Sequence, residues 1–323
     1  MVDSEPTFPR RRLEEARARV ASSLHRTPLV RSRSLSERVG APVYLKCENL
    51  QKTGSFKVRG ALQRLLRLSE EERARGVVTI SAGNHAQAVA WAAAAAGVPA
   101  TVVMPEKASR TKVAASRAYG AEIILHGDAA RAFVKVQEVA EERGLTFVHP
   151  FDDEEVVAGH AGVGLEILED LPDCQTVVVP VGGGGLISGV LTAVAAVRPG
   201  VAVWGVEPTG AAAMGLSLKK GSAQHIPTVE TIADGLGAPM AGQLTFRLVA
   251  RLARGMVTVT DEEIVAAMAT LLERTKLLAE PAGAAGLAAL LSGRIPVEPD
   301  RPVAVVLSGG NVDLDLLARL LAR

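Results

Sequence analysis

Residues 46–61 read Lys46-Cys47-Glu48-Asn49-Leu50-Gln51-Lys52-Thr53-Gly54-Ser55-Phe56-Lys57-Val58-Arg59-Gly60-Ala61. The apolar run Val43-Tyr44-Leu45 enters this stretch as a strand, and a polar turn with Gly54 follows. Leu62, Leu65 and Leu66 then share one helical face. Ser55 reads as the N-cap, which puts Lys57 in the first helical turn. There the positive end of the helix dipole disfavours an ammonium and lowers the lysine pKa. A neutral amine of this kind can form a Schiff base with an aldehyde. Spacing alone does not separate Lys57 from a solvated lysine at a helix start. The rest of the chain decides.

The chain has 323 residues, 48% of them apolar, enough for a large core and for two domains. With 36 basic against 35 acidic residues the net charge is +1, which favours neither nucleic acid nor an anionic membrane. Two cysteines, Cys47 and Cys174, suit free thiols in a reducing compartment. Residues 1–12 carry acids, prolines and arginines without an apolar core, so no signal peptide is expected. The longest apolar run, Val89 to Met104, is broken by Gly97 and Pro99 and is too short to span a bilayer. The expectation is a cytoplasmic enzyme.

Strand-like and helix-like runs alternate. Strands are expected at 43–48, 77–81, 100–104, 121–125, 147–150, 176–181, 201–206 and 303–307, with 25–29 an extended entry. Helices are expected at 13–24, after Lys57, and at 85–96, 109–119, 128–143, 156–170, 186–197, 211–220, 261–276, 282–291 and 312–322. This alternation predicts an α/β fold with mainly parallel sheets. Four strands end in unusual polar or glycine-rich loops: near Lys57, at Ser81–His85, at Gly182–Gly185 and at Ser308-Gly309-Gly310-Asn311. Ligands of open parallel sheets sit outside the carboxyl ends of strands, so the four loops suggest one shared cleft.

Each loop has its own chemistry. Four glycines between strand and helix leave main-chain N–H groups free to surround an anion, and the helix dipole adds attraction. A mere tight turn would not justify the chain entropy of four glycines. Neither a dinucleotide fingerprint nor a Walker loop fits the register. Ser81-Ala82-Gly83-Asn84-His85 offers a hydroxyl, an amide and main-chain donors suited to a carboxylate, though an ordinary cap with a buried histidine fits equally. Ser308 follows a fully apolar strand and alone would be a helix cap. Glu207 after strand 201–206 could hold a cation but reads more simply as structural. His149, His160 and Asp152-Asp153 lack metal-ligand spacing and read as surface or capping residues.

Taken together the loops resemble the threonine dehydratase (threonine ammonia-lyase) and serine racemase family of pyridoxal-phosphate enzymes. The segments concerned are Gln51–Lys57, Ser81–Gln87, Gly182–Leu186 and Ser308–Asn311, with Thr231–Gly235 and Arg274–Ala284. The resemblance implies a tryptophan-synthase-β-like fold (fold type II): two open, mostly parallel sheets flanked by helices. A small substrate-binding domain, 76–152, would be inserted in a large cofactor-binding domain, 1–75 and 153–323. It further implies that Lys57 carries pyridoxal 5'-phosphate as a Schiff base. Gly182, Gly183, Gly184, Gly185 and Leu186 would hold its phosphate, Asn84 its phenolic oxygen, and Ser308 its ring nitrogen, with Phe56 packed beside the ring. Ser81, Ala82, Gly83, Asn84 and His85 would bind the substrate carboxylate.

A serine at the ring nitrogen makes a weaker electron sink than an aspartate, which favours rapid loss of a β-hydroxyl. Lys57 would remove the α-proton, the cofactor phosphate would protonate the leaving hydroxyl, and a 2-oxo acid and ammonia would result. Serine racemases place a serine directly after the position of Ser81; here it is Ala82, which moves no proton, so dehydration is preferred. The family's cation site pairs a glutamate with an acid six residues on; Glu207 is present but Ala213 replaces the acid, which argues against a metal. Gly159-His160-Ala161-Gly162 stands where relatives read Gly-Gln-Gly-Thr. Twelve residues follow Asn311, so a C-terminal regulatory domain is not expected.

The expected activity is deamination of L-threonine, with L-serine as a second substrate, since one methyl discriminates by only ~1–3 kcal/mol. Alternatives are another β-hydroxy amino acid such as a hydroxyaspartate or phenylserine, serine racemisation, or a phosphate-ligand binding module without catalysis. A homodimer or homotetramer is the family expectation.

Overall fold

The computed structural model describes residues 8–322. Among the described residues ten strands form two sheets. They are β1 Leu29–Arg31, β2 Val43–Cys47, β3 Val77–Ile80, β4 Ala100–Met104 and β5 Glu122–Leu125. After β6 Thr146–Phe147 come β7 Thr176–Pro180, β8 Ala202–Pro208, β9 Gly255–Val259 and β10 Val303–Leu307. The larger sheet runs β1-β2-β10-β7-β8-β9 and the smaller β5-β4-β3-β6. Among the described strand pairs only β1 against β2 is antiparallel. The fold is thus α/β with two mostly parallel sheets flanked by helices.

Apolar alternation explains the layering. Val303, Val305 and Leu307 of β10 face the core under the helices Asp261–Thr275 and Pro281–Leu291, beside Ile264, Met268 and Leu287. Ala304 and Val306 face the opposite core, with Ile167, Ile187 and Val190 of the helices Glu154–Asp170 and Gly185–Val197. A strand buried on both faces must be apolar throughout, and all five residues of β10 and of β7 are buried.

Two strands escape the sequence reading. β1 falls where the sequence suggests no more than an extended entry, and β9 lies at the sheet edge with most residues only partly buried, so its alternation is weak. The short helices Arg33–Val39 and Glu70–Arg75 and the helix Gln243–Leu252 are likewise additions from the structure.

Register brings the loops together. Leu307 of β10 lies opposite Cys47 of β2, and Val305 lies opposite Val178 of β7. The loops after β2, β10 and β7 therefore leave one sheet edge side by side. Among the described residues no helix is long and apolar enough to cross a membrane. Cys47 and Cys174 are free and buried.

Candidate active site

The loop after β2 is stitched to the loop after β10. Ser55 forms an isolated bridge with Gly309, Phe56 N donates to Ser308 O at 3.1 Å, and Gly310 N donates to Gly54 O at 2.9 Å. Gly54 has φ +73°, and a Cβ there would lie 2.3 Å from Asn311 Oδ1, so both conformation and space require glycine. The helix begins at Lys57 itself. Ser55 does not cap it as expected: its backbone is extended, and its buried Oγ has no partner among the described residues.

Lys57 Nζ donates to Pro150 O at 2.7 Å. Desolvation lowers its pKa to about 8, opposed by the Glu280 carboxylate. The expected direction holds, but burial rather than the helix dipole is the leading cause. A lysine poised near 8 keeps a substantial neutral fraction at neutral-to-alkaline pH.

The glycine loop follows β7. Gly184 has φ +95°, and the helix starts at Gly185. Among the described residues nothing accepts a hydrogen bond from the main-chain N–H of Gly182, Gly183 or Gly184. Their carbonyl side is occupied, since Thr245 Oγ1 donates to Gly183 O at 2.7 Å. A Cβ on Gly183 would sit 2.4 Å from the Phe151 ring, so the loop is pressed against its backing wall. Free donors at a helix N-terminus make an anion site.

The remaining loops close the space. Ser81 Oγ accepts from Gly83 N at 3.0 Å, and the helix Asn84–Ala96 starts without a side-chain cap. Asn84 is fixed from two sides: Nδ2 donates to Glu280 Oε1 at 2.6 Å, and Oδ1 accepts from Asn311 Nδ2 at 2.8 Å. The His85 ring is buried against Val148 O at 3.2 Å. Burial first, then Lys57, holds it well below its ordinary pKa, so it stays neutral. Ser308 is buried beside this group.

One cleft of about 360 Å³, within the size range of small-ligand sites, gathers these parts. Its lining includes Phe56 and Lys57, Ser81 to His85, Gly182 to Leu186, and Ser308. Of the residues nominated from sequence, only Glu207 lies elsewhere. Both its oxygens accept main-chain N–H groups, from Met214 at 2.7 Å and Gly215 at 2.8 Å, so it caps the helix Ala213–Lys220. Among the described residues no group of three His, Cys, Asp or Glu could hold a metal ion.

The cleft also holds residues that sequence reasoning does not nominate. Glu280 is buried, and desolvation with the nearby Asp234 pushes its carboxyl up to about 8. Lys112 donates to Asp234 Oδ2 at 2.6 Å across the rim. In the sequence Glu280 stands out only as part of the segment 274–284. Its neighbour Asn84 is 196 positions away, and no local pattern encodes that meeting. Asp152 and Asp153 are caps as expected: Asp152 receives three N–H groups of the helix Gln243–Leu252, Asp153 two of Glu154–Asp170. His160 is not a surface residue; it is fully buried beneath Phe56.

The residues fit pyridoxal 5'-phosphate on two observations: three unused N–H donors suited to a phosphate, and a desolvated amine suited to an aldehyde. Comparison with known proteins agrees. The profile of the pyridoxal-phosphate dependent enzyme family matches residues 20–309. The L-threonine ammonia-lyase of Thermotoga maritima is 48% identical over 310 residues, 96% of this chain and 77% of that one. The crystal structure of a T.th. threonine deaminase superposes with a TM-score of 0.89 at 41% identity, covering 95% and 99% of the two chains. Maize serine racemase gives 0.93 at 38% identity, covering 98% of each.

Proposed function

The chain belongs to the family of pyridoxal-phosphate dependent enzymes, and from that premise we propose that it is an ammonia-lyase converting L-threonine to 2-oxobutanoate and ammonia. L-Serine, giving pyruvate, is the second substrate. The observation that carries the reading is the pairing, in one cleft, of a desolvated lysine amine with a glycine loop whose N–H groups are unspent.

Bound pyridoxal phosphate supplies an aldehyde that captures amino groups and a ring that delocalises electrons from the α-carbon. Gly182 to Leu186 would hold its phosphate, Lys57 would be its covalent anchor, and Ser308 would face its ring nitrogen. The loop Ser81–His85 receives the substrate carboxylate on main-chain donors and the Ser81 hydroxyl. Asn84, its amide clamped by Glu280 and Asn311, would present a fixed face to the phenolic oxygen. Lys57 Nζ would take the α-proton of threonine; its lowered pKa makes the neutral amine available. The β-hydroxyl departs as water, and uptake of one water on release of ammonia balances the overall deamination.

The maize serine racemase likeness raises racemisation as a rival. Ala82, after Ser81, offers only a methyl there, which moves no proton. The same proposal takes residues 76–152 as the substrate-binding domain and the assembly as a homodimer or homotetramer. The test is release of 2-oxo acid from L-threonine and L-serine by the purified protein, with Lys57→Ala alongside. The expected result is 2-oxobutanoate faster than pyruvate, and neither from the variant. A yellow protein that releases neither product would refute the substrate.

A further inference from the structure

Three helices meet beneath the cleft: Lys57–Leu65, Glu154–Asp170 and Gly185–Val197. His160, on the second, is wedged between the other two and is fully buried. Its ring meets Phe56 edge-on, with centroids 4.8 Å apart and an interplanar angle of 64°. Glycines make its slot. A Cβ on Gly60 would lie 2.5 Å from His160 Nε2, and one on Gly189 would lie 2.7 Å from His160 Cβ. The main chain of Lys57 and of Gly185 faces the ring, yet neither ring nitrogen reaches hydrogen-bond geometry among the described residues.

Packing alone does not account for this residue. A leucine would fill such a slot without burying two unpaired nitrogens, a burden proteins rarely carry without a reason. The histidine is also a feature of this sequence, in the segment Gly159-His160-Ala161-Gly162. It touches the helix that begins with the lysine and the helix that begins at the glycine loop. Burial keeps it neutral, its pKa lowered to about 3, so it adds no positive charge beside Lys57.

We propose that His160 is a positioning residue that fixes the Phe56 ring and the spacing between the Lys57 helix and the glycine-loop helix. It thereby sets the distance between the aldehyde anchor and the phosphate anchor of the cofactor. This rests on the cofactor reading above, not on the choice of threonine as substrate.

The test compares wild type, His160→Leu and His160→Gln, each stripped of cofactor and titrated back with pyridoxal phosphate. Visible absorbance reads occupancy, and urea denaturation reads the stability of the stripped chains. His160→Leu is expected to bind cofactor at least tenfold more weakly with a shifted absorbance maximum, while its urea midpoint stays level or rises because the unpaired nitrogens are gone. His160→Gln, which returns a flat polar group to the slot, is expected to regain affinity to within threefold. Should His160→Leu fail to fold, His160→Met takes its place with the same expectation. Wild-type affinity and spectrum in every variant that folds would overturn the proposal. So would a loss of affinity in His160→Leu matched by an equal loss of stability. A wild type that turns yellow but leaves threonine untouched defeats the substrate reading and leaves this measurement standing.

Discussion

Arg59 grips Glu48 with two nitrogens, Nε at 2.7 Å and Nη2 at 2.9 Å, two residues along the helix from Lys57. The same guanidinium reaches Glu166 at 2.7 and 2.9 Å, and Lys46 Nζ meets Glu166 at 2.5 Å. Thr27 Oγ1 also donates to Glu48. Two cations and two anions thus cancel in the interior, tying β2 and the helix Glu154–Asp170 to the helix that carries the lysine. Replacing a whole buried network of this kind by apolar residues of equal volume is often near neutral for stability, whereas removing one member is costly.

Glu166→Gln leaves Lys46 and Arg59 facing the single charge of Glu48. Breaking a buried pair in this way costs about 3–5 kcal/mol. A fall of that size in unfolding free energy, from urea denaturation, is expected. A change below about 1 kcal/mol, the range of surface pairs, would show that the network is solvated.

Lys57→Ala removes both the covalent anchor and the proton acceptor. It is expected to fold, to show no visible absorbance with pyridoxal phosphate, and to lose at least ~10³-fold in turnover, the scale of positioned acid–base groups. Absorbance and 2-oxo acid release check this.

Lys57 and Glu280 make opposite contributions to stability as pH changes. The folded lysine titrates near 8 instead of 10.5, so the unfolded chain binds the extra proton between those values and stability rises with pH there. Folded Glu280 titrates near 8 instead of 4.5, so the folded chain holds the extra proton and stability falls across that lower window. The sum of these two contributions is therefore lowest near pH 8, and it is read as the difference between the stripped protein and its variants. Urea midpoints at several pH values test this, with Glu280→Gln flattening the lower limb and Lys57→Met the upper. The rate of cofactor capture should rise tenfold per pH unit below about 8, then level off. Glu280→Gln removes the charge that supports the ammonium and should move that midpoint to lower pH.

Gly184→Ala forces a side chain onto a left-handed residue, at about 1–2 kcal/mol, and brings Cβ within 2.7 Å of Met214 Cε. Cofactor affinity should fall at least tenfold, as ~1.4 kcal/mol corresponds to a factor of ten. Titration of the stripped variant measures it.

How far the sequence could be read depended on how local each feature is. The glycine loop and the lysine turn are contiguous runs, so their chemistry is written in neighbouring letters. The apolar strands β7 and β10 announced themselves for the same reason. Glu280, Asn84 and Asn311 were different. Their contacts join residues 196 and 227 positions apart, and only the packing of Gly309, whose Cβ would lie 2.3 Å from Glu280 Oε1, lets them meet. Ser55 and His160 mislead because propensity describes the typical serine before a helix and the typical polar residue on one. Here a strand-like bridge to Gly309 took the serine and a glycine-lined slot took the histidine.

The place of β10 governs when the enzyme comes into being. It is the last strand in chain order, yet it sits between β2 and β7, the two strands that deliver the lysine and the glycine loop. During synthesis those strands must wait, unjoined, until residues 303–307 have emerged and slid between them. Ser308, which receives the Phe56 amide, arrives with the same strand. The enclosure that lowers the Lys57 pKa thus depends on a strand made long after the lysine itself.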